Sequence, residues 1–121
     1  MPIESIDHVQ LAMPVGREAD ARIFYAGLLG IPEVSKPANL AVNGGAWFER
    51  GGLRVHLGVD PDFRAAKKAH VAFRVGGLPA LASSLEAKGV AVLHDDRLAG
   101  YNRFYVSDPF GNRLEFMEPR A

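Results

Sequence analysis

Three histidines and one glutamate are the side chains of this chain that are best suited to chemistry. His8 and His70 are separated by close to half of the 121 residues, and so are His56 and Glu115. Neutral imidazole nitrogens and an anionic carboxylate are the usual protein ligands of a divalent transition metal. The four residues therefore predict one metal site. The alternative is that polar residues on these strands face water.

The four residues occupy corresponding positions of an internal repeat. Alternating apolar residues and apolar residues at helical spacing predict the order strand, helix, strand, strand, strand twice. The predicted strands span residues 6–13, 33–42, 46–49, 53–59, 70–75, 90–93, 102–107 and 112–117, with helices over 21–28 and 78–85. The sequence therefore predicts an α+β fold of two tandem βαβββ modules that share a core.

A charged, turn-rich segment near the middle of the chain sets the module boundaries. The first module is expected over residues 1–60 and the second over 69–121, with residues 61–68 as the connector. A turn is also predicted at Asp108–Gly111, because its Pro and Gly stand where a type I turn prefers them. At this chain length, the two modules are expected to form one compact domain.

The alternation of side chains along each strand predicts where the candidate ligands point. The apolar residues beside them, such as Val55 and Phe116, are expected to pack beneath the helices. The opposite side of the strands, here called the open face, then carries His8, His56, His70 and Glu115. Because all four side chains are expected on the same face, a common role is favoured over four unrelated ones.

Charge and composition exclude several classes of function. The 14 Lys and Arg balance 14 Asp and Glu, so neither nucleic acid nor an anionic membrane surface is an expected partner. No apolar run approaches the ~20 residues of a membrane span. The chain has no cysteine, which excludes disulfides and a thiol nucleophile and makes the cytoplasm the expected location.

Four arginines and a tyrosine predict the kind of substrate. Arg54, Arg74 and Arg113 share the open face by alternation, and Arg103 and Tyr105 lie near the hairpin of the second module. Guanidinium groups pair well with carboxylate or phosphate, so these residues would suit an anionic small molecule. The alternative is that each arginine pairs with a neighbouring acid and that the tyrosine is ordinary packing.

Several segments of the chain together resemble the vicinal oxygen chelate superfamily. They are Asp7-His8-Val9, residues 24–30 (FYAGLLG), His56 in its strand, Ala69-His70-Val71 and residues 108–116 (DPFGNRLEF). The superfamily includes glyoxalase I, extradiol dioxygenases, methylmalonyl-CoA epimerase, and fosfomycin and bleomycin resistance proteins. The resemblance implies that the two modules form a curved, cup-shaped mixed sheet with helices on its outer face.

The resemblance also implies where a metal would bind and how copies of the chain would associate. Metal ligands of the family come from the first and last strands of each module, and they fall here on His8, His56, His70 and Glu115. Members of this length often form homodimers, in which a module of one chain completes a site with a module of the other. One position departs from the pattern, since glyoxalase I usually has Glu where this chain has His56.

The predicted activity is that of a glyoxalase-like, metal-dependent lyase or isomerase. Four protein ligands on an octahedral ion leave two positions for a small molecule with adjacent oxygens, whose enediolate the ion would stabilise. The ion is predicted to be Fe, Ni, Co, Mn or Zn, and Glu115 is also the predicted catalytic base. Two alternatives stay open: a metal-free binding protein of the bleomycin resistance type and an extradiol-type dioxygenase.

Overall fold

The chain forms two structural units, each built round its own four-stranded sheet. The computed structural model describes residues 2–121, and the division between the units lies between Arg64 and Ala65. Both sheets are mixed, since each contains one parallel and two antiparallel strand pairs. The predicted α+β class and the repetition of a βαβββ unit are confirmed.

In the first unit, the first and last strands lie side by side. Its elements are β1 (Val9–Met13), α1 (Glu18–Ala21), a π-helical segment (Arg22–Leu28), β2 (Glu33–Val34), α2 (Ala38–Ala41), β3 (Ala46–Arg50) and β4 (Leu53–Val59). The strand order is β1-β4-β3-β2, with β1 parallel to β4. The register of β3 and β4 pairs Trp47 with His56, so both rings lie on the same face.

The second unit repeats this topology. Its elements are β5 (Val71–Arg74), α3 (Leu78–Ala87), β6 (Leu93–Asp95), β7 (Tyr101–Ser107) and β8 (Arg113–Pro119), in the strand order β5-β8-β7-β6. The register of β7 and β8 pairs Tyr105 with Glu115, which are the counterparts of Trp47 and His56. Within residues 2–121, no helix has both the length and the apolar character that crossing a bilayer requires.

Aromatic side chains fill one face of each sheet. In the first unit, Tyr25 of the π-helical segment packs on Phe48, with ring centroids 5.5 Å apart and both residues fully buried. In the second unit, Phe116 contacts Phe73 and Phe104, with centroid distances of 5.4 and 5.3 Å. Because successive residues of a strand point to opposite faces, the neighbours of these aromatics are directed to the open face.

Two predicted strands of the first unit differ substantially from the observed ones. The strand expected over residues 33–42 is limited to Glu33–Val34, because Pro37 begins the one-turn helix α2. The Pro37 carbonyl accepts hydrogen bonds from the backbone N–H groups of Leu40 and Ala41, both at 2.9 Å. The first strand begins at Val9, where its pairing with β4 starts, rather than at residue 6. The candidate ligand at position 8 therefore precedes the strand.

Candidate functional site

Three rings of the first unit form a stack on its open face. The ring centroids of Trp47 and His56 are 4.1 Å apart, with an interplanar angle of 6°. His8 stacks on the same imidazole at 4.3 Å and 20°. His56 is consequently buried, with 4% of its surface exposed. The stack brings two of the predicted ligands together and restricts the orientation of the His56 ring.

Two carboxylates of the first unit contact these imidazoles. Glu49 Oε2 lies 2.7 Å from His56 Nε2, and Asp7 Oδ2 lies 3.0 Å from His8 Nδ1. A carboxylate on one ring nitrogen is the usual outer partner of a metal-binding histidine, because it fixes the tautomer and the ring orientation. The nitrogens left for a ligand are then His56 Nδ1 and His8 Nε2.

An arginine adds a positive charge beside these carboxylates. Arg54 donates hydrogen bonds to the backbone oxygen and Oδ1 of Asp7, at 3.3 and 3.2 Å, and its Nε lies 3.9 Å from Glu49 Oε1. The hydrogen bond from His8, followed by the Arg54 charge, holds the pKa of Asp7 below its usual value. Arg54 therefore pairs with acids of its own unit, as the alternative interpretation of this predicted substrate residue allowed.

In the second unit, a histidine faces a carboxylate. The Nδ1 atom of His70 lies 2.8 Å from the backbone oxygen of Lys68, so Nδ1 must carry a proton and donate it. The other ring nitrogen, Nε2, lies 2.9 Å from Oε1 of Glu115. In a neutral imidazole this Nε2 is an acceptor, and so is an ionised carboxylate oxygen. A positive species, a proton or a metal ion, is needed between the two atoms.

The carboxylate of Glu115 is buried and has a guanidinium on its other oxygen. Its side chain is 7% exposed, and Arg103 donates to Oε2 from 3.3 Å. Arg103 also contacts Oδ1 of Asp95 at 3.3 Å, while its own Nε is buried without a hydrogen-bond partner among residues 2–121. Hydrogen bonds from Arg97 are the main reason that the pKa of Asp95 lies well below its usual value. Arg103 is thus held between two acids.

The predicted turn before β8 is confirmed and fixes the start of the strand that carries Glu115. The Gly111 N–H donates to the Asp108 carbonyl at 3.0 Å, and Gly111 has a φ of +91°, which a residue with a side chain rarely adopts. The buried Asp108 carboxylate accepts from the backbone N–H groups of Phe110 and Asn112, both at 2.9 Å, and from Asn112 Nδ2 at 3.0 Å. This network holds the strand in register.

The two other predicted substrate arginines, Arg74 and Arg113, have no acidic partner in the part of the chain that the structure describes. Arg74 donates to the Tyr101 hydroxyl at 3.3 Å, and Arg113 has its guanidinium carbon 4.0 Å from the centroid of the Tyr105 ring. Neither arginine has an acid within ion-pair distance among residues 2–121. Tyr105 is buried, and its ring also contacts His70 at 5.8 Å. The positive charges of Arg74 and Arg113 are therefore available to bind an anion.

The donor atoms suit a divalent metal, and they occur as two pairs, one in each unit. Among residues 2–121, no group of three or more His, Asp or Glu side chains is arranged to hold a metal ion. The pair of His70 and Glu115 nevertheless fits such an ion, because two acceptors separated by 2.9 Å require a positive charge. Ligands that each lie about 2.1 Å from an ion, at right angles, are themselves about 3 Å apart.

Four residues around the candidate ligands were not predicted as site residues from the sequence: Asp7, Trp47, Glu49 and Asp95. The side-chain alternation of β3 places Trp47 and Glu49 together on one face, opposite Phe48. The alternation therefore indicated that Trp47 and Glu49 share a face. Only the strand register, which pairs Trp47 with His56, places them beside a candidate ligand. Asp95 could not be found, because the strand predicted at residues 90–93 is displaced and β6 spans Leu93–Asp95.

The family model and one solved structure match almost the whole chain. The model of the Glyoxalase/Bleomycin resistance protein/Dioxygenase superfamily matches residues 5–116. A crystal structure from Bacillus anthracis, assigned to the glyoxalase family, is 47% identical over 98% of this chain and 97% of its own, with a TM-score of 0.94. Among curated proteins, no significant match to this chain was found.

More distant structures share the fold. A lactoylglutathione lyase from Agrobacterium tumefaciens is 22% identical over 98% of this chain and 96% of its own, with a TM-score of 0.71. The fosfomycin resistance protein FosX from Listeria monocytogenes is 16% identical over 98% and 95%, with a TM-score of 0.77. On the strength of the family model and the 47% identity, this chain belongs to the Glyoxalase/Bleomycin resistance protein/Dioxygenase superfamily, the vicinal oxygen chelate superfamily.

Proposed function

We propose that this chain is a metal-dependent enzyme of the lyase or isomerase type, acting on a small molecule with adjacent oxygens. The proposed metal ligands are His8, His56, His70 and Glu115. The observation that carries the proposal is the contact of 2.9 Å between His70 Nε2 and Glu115 Oε1, because Nδ1–H of His70 already donates to the backbone oxygen of Lys68. A divalent ion, once bound, supplies Lewis-acid polarisation of a substrate carbonyl.

The ring stack of the first unit supports the two other ligands. Trp47 restricts the plane of His56, and the Glu49 carboxylate accepts a hydrogen bond from its Nε2–H at 2.7 Å. In the same way, Asp7 holds Nδ1 of His8. Each histidine then keeps one unprotonated nitrogen for a ligand without losing a hydrogen bond. Orienting the imidazoles is the role that we assign to these three residues.

Glu115 is the proposed general base. Its carboxylate has two distinct oxygens, one near His70 and the other held by Arg103. The guanidinium fixes the orientation of the carboxylate, so that Oε1 can take a proton from a substrate carbon placed beside it. Burial of the carboxylate keeps bulk water away from this transfer.

The assembly, the location and the identity of the metal are also proposals. A homodimer is supported by the likeness to short members of the family. A cytoplasmic location is supported by a sequence without cysteine. The four ligands would meet either within one chain or through modules exchanged between two chains. Fe, Ni, Co, Mn and Zn all accept imidazole and carboxylate ligands, so each is a candidate.

The test is metal binding by protein that has first been stripped with a chelator. We expect about one ion per chain by calorimetric titration with Ni, Co, Mn or Zn, and with Fe(II) in the absence of air. Glu115→Gln and His70→Gln should each weaken this binding by about tenfold or more, because a ligand contributes several kcal/mol. His94→Gln is the matched control, since His94 contacts Phe104 and no proposed ligand.

One result would favour the metal-free alternative. If reconstituted protein held far less than one ion per chain, while still binding small molecules, a sequestering protein of the bleomycin resistance type would be the better interpretation. If the metal bound but His70→Gln and Glu115→Gln had no effect, the ligand set would be wrong. Ring cleavage with uptake of O₂ by the iron-loaded protein would instead favour a dioxygenase.

A further inference from the structure

A cavity of about 360 Å³ opens on the second unit beside the strand of the proposed base. Its lining includes both charged and hydroxyl-bearing side chains: Lys67, Asp95, Tyr105, Ser107 and Arg113. Ser107 and Arg113 are directly paired across β7 and β8, and Tyr105 is paired with Glu115. The cavity and the Glu115 carboxylate therefore lie on the same face of one sheet.

Positively charged side chains predominate around this cavity. Among residues 2–121, neither Lys67 nor Arg113 has an acid within ion-pair distance. Asp95 is the acid in the lining, and it is already bound by Arg97 at 2.9 Å and by Arg103 at 3.3 Å. Two positive charges without acidic partners thus face a cavity whose carboxylate is already neutralised.

The guanidinium of Arg113 is held in place without a counter-ion. Its carbon lies 4.0 Å from the centroid of the Tyr105 ring, and Nη1 donates weakly to the Lys67 backbone oxygen at 3.5 Å. Stacking on an aromatic ring fixes the plane of a guanidinium while leaving its N–H donors free. A planar donor fork of this kind matches two oxygens of a carboxylate or a phosphate.

We propose that Arg113 and Lys67 form the subsite for an anionic group of the substrate, a carboxylate or a phosphate, with the Ser107 hydroxyl as a further donor. This assignment rests on the proposed function, which it deepens by naming the substrate class as a small acid. It also separates the predicted arginines, because Arg54 and Arg103 serve acids of the protein itself.

The spacing along β8 connects the subsite with the proposed base. Arg113 and Glu115 are two residues apart and point to the same face, which separates their Cα atoms by about 7 Å. A small acid whose anionic end binds Arg113 can therefore place another of its carbons beside Glu115. The anionic group orients the substrate, and binding energy gained there is available for positioning the carbon that reacts.

The test uses metal-free, full-length protein with inorganic phosphate and acetate as separate probes. Binding is followed through the backbone amide signals of Ser107 and Gly111, two residues of the cavity lining, in nitrogen–proton correlation spectra. We expect saturable shifts at these amides, and an affinity at least about fivefold lower in Arg113→Met and reduced in Lys67→Ala, as for loss of a charged hydrogen bond. Comparing the two probes separates a phosphate subsite from a carboxylate subsite.

Two further variants make the result decisive. Arg50→Met is the matched control, because Arg50 also lacks an acidic partner among residues 2–121 but lies in the first unit and donates to the Gly30 carbonyl. Arg113→Lys keeps the charge and loses the stacked fork, so it should bind at an intermediate level even if Arg113→Met folds poorly. Equal weakening by Arg50→Met would indicate general charge attraction and overturn the subsite.

The outcome is independent of the metal proposal. Unchanged phosphate and acetate binding in Arg113→Met and Arg113→Lys, or no saturable shift in the wild-type protein, would refute the subsite. Metal titration of the same wild-type sample would then still report on the proposed ligands. Conversely, a protein that binds the probes through Arg113 but takes up no metal would keep the subsite and lose the proposed metal chemistry.

Discussion

The two units place their candidate ligands at equivalent positions of the repeat but stabilise them with different forces. In the first unit, His56 is covered by the rings of Trp47 and His8. In the second unit, the equivalent Glu115 lies opposite Tyr105 in the strand register, and its oxygens contact His70 and Arg103. Both ligands reach about the same burial, 4% and 5% exposed. One backbone plan thus supports a ligand by ring stacking together with the Glu49 carboxylate in one copy, and by ion pairs without stacked rings in the other.

The difference matters because stacking and ion pairing respond differently to the loss of one partner. Removing one ring from a stack costs its contact energy, about 0.5–1.5 kcal/mol. Removing one charge from a buried ion pair leaves the other charge without compensation, which costs about 3–5 kcal/mol in a fully buried site. We therefore expect the second unit to be the more sensitive of the two to substitution of its ligands.

The largest expected effect is that of Glu115→Ala on stability. The substitution leaves Arg103, whose side chain is 16% exposed, with Asp95 as its one acidic partner among residues 2–121. Since Arg103 keeps that partner, we expect the free energy of unfolding to fall by about 2–3 kcal/mol, below the fully buried range. Urea denaturation of metal-free protein measures it.

His8→Ala is the comparison for that experiment. The side chain of His8 is 40% exposed and contributes mainly a stacking contact, so we expect a loss below about 1 kcal/mol. Equal losses for the two variants would contradict the contrast between the units.

A second expected effect concerns the carboxylate that orients His56. Glu49→Gln keeps the size of the side chain, but an amide can donate a hydrogen bond as well as accept one, whereas a carboxylate only accepts. The tautomer of His56 is therefore no longer fixed at Nε2–H. We expect the affinity for the metal to fall by about 10–100-fold, as is usual for an outer partner of a ligand. Calorimetric titration measures the affinity, and the nitrogen chemical shifts of the His56 ring report the tautomer. An unchanged tautomer with unchanged affinity would remove this role.

A smaller effect distinguishes the units by pH. The pKa of Asp95 is lowered in the folded chain, mainly by Arg97, so the folded state is stabilised above the ordinary carboxyl pKa of about 3.9. This contribution is lost as the pH falls below that value towards the folded pKa. In Asp95→Asn, the unfolding free energy should therefore differ from wild type most near about pH 6 and least near about pH 2.

Asp7→Asn is the counterpart in the first unit and should change stability least. The pKa of Asp7 is lowered as well, by His8 and Arg54, so its contribution has the same sign and is likewise lost as the pH falls below the ordinary carboxyl pKa. Its side chain is 78% exposed, however, and exposed ion pairs are weakened by solvent and salt. A larger pH effect in Asp7→Asn than in Asp95→Asn would reverse the proposed difference between the units.

Much of the fold could be predicted from local patterns. The alternation of Val55 with His56 and of Phe116 with Glu115 was enough to separate the two faces of each sheet, and Pro109 with Gly111 was enough to predict the turn. The short helix after Pro37 was missed, because apolar residues over 33–42 also suit a strand and the helix depends on one turn of backbone hydrogen bonds.

The partners of the candidate ligands could not be predicted in the same way. Alternation says that Trp47 and Glu49 share a face, but it does not say which residue of β4 lies opposite. That register is set by the hairpin of Gly51 and Gly52, and a shift of one residue would have placed Trp47 beside an apolar residue. Likewise, the acids that lie beside each arginine are set by the pairing of one strand with another, which local sequence patterns do not give.

The position of β8 in its sheet has a consequence for how the second unit assembles. This strand, Arg113–Pro119, pairs with β5 on one side and with β7 on the other, so most of the inter-strand pairing of the sheet involves it. A nascent chain that has emerged only to residue 112 leaves β5 without a neighbour and exposes the phenylalanines of the apolar face. Chain synthesis must therefore deliver this last strand before the unit can close cooperatively, and shortening β8 should yield an aggregating product rather than a weakened fold.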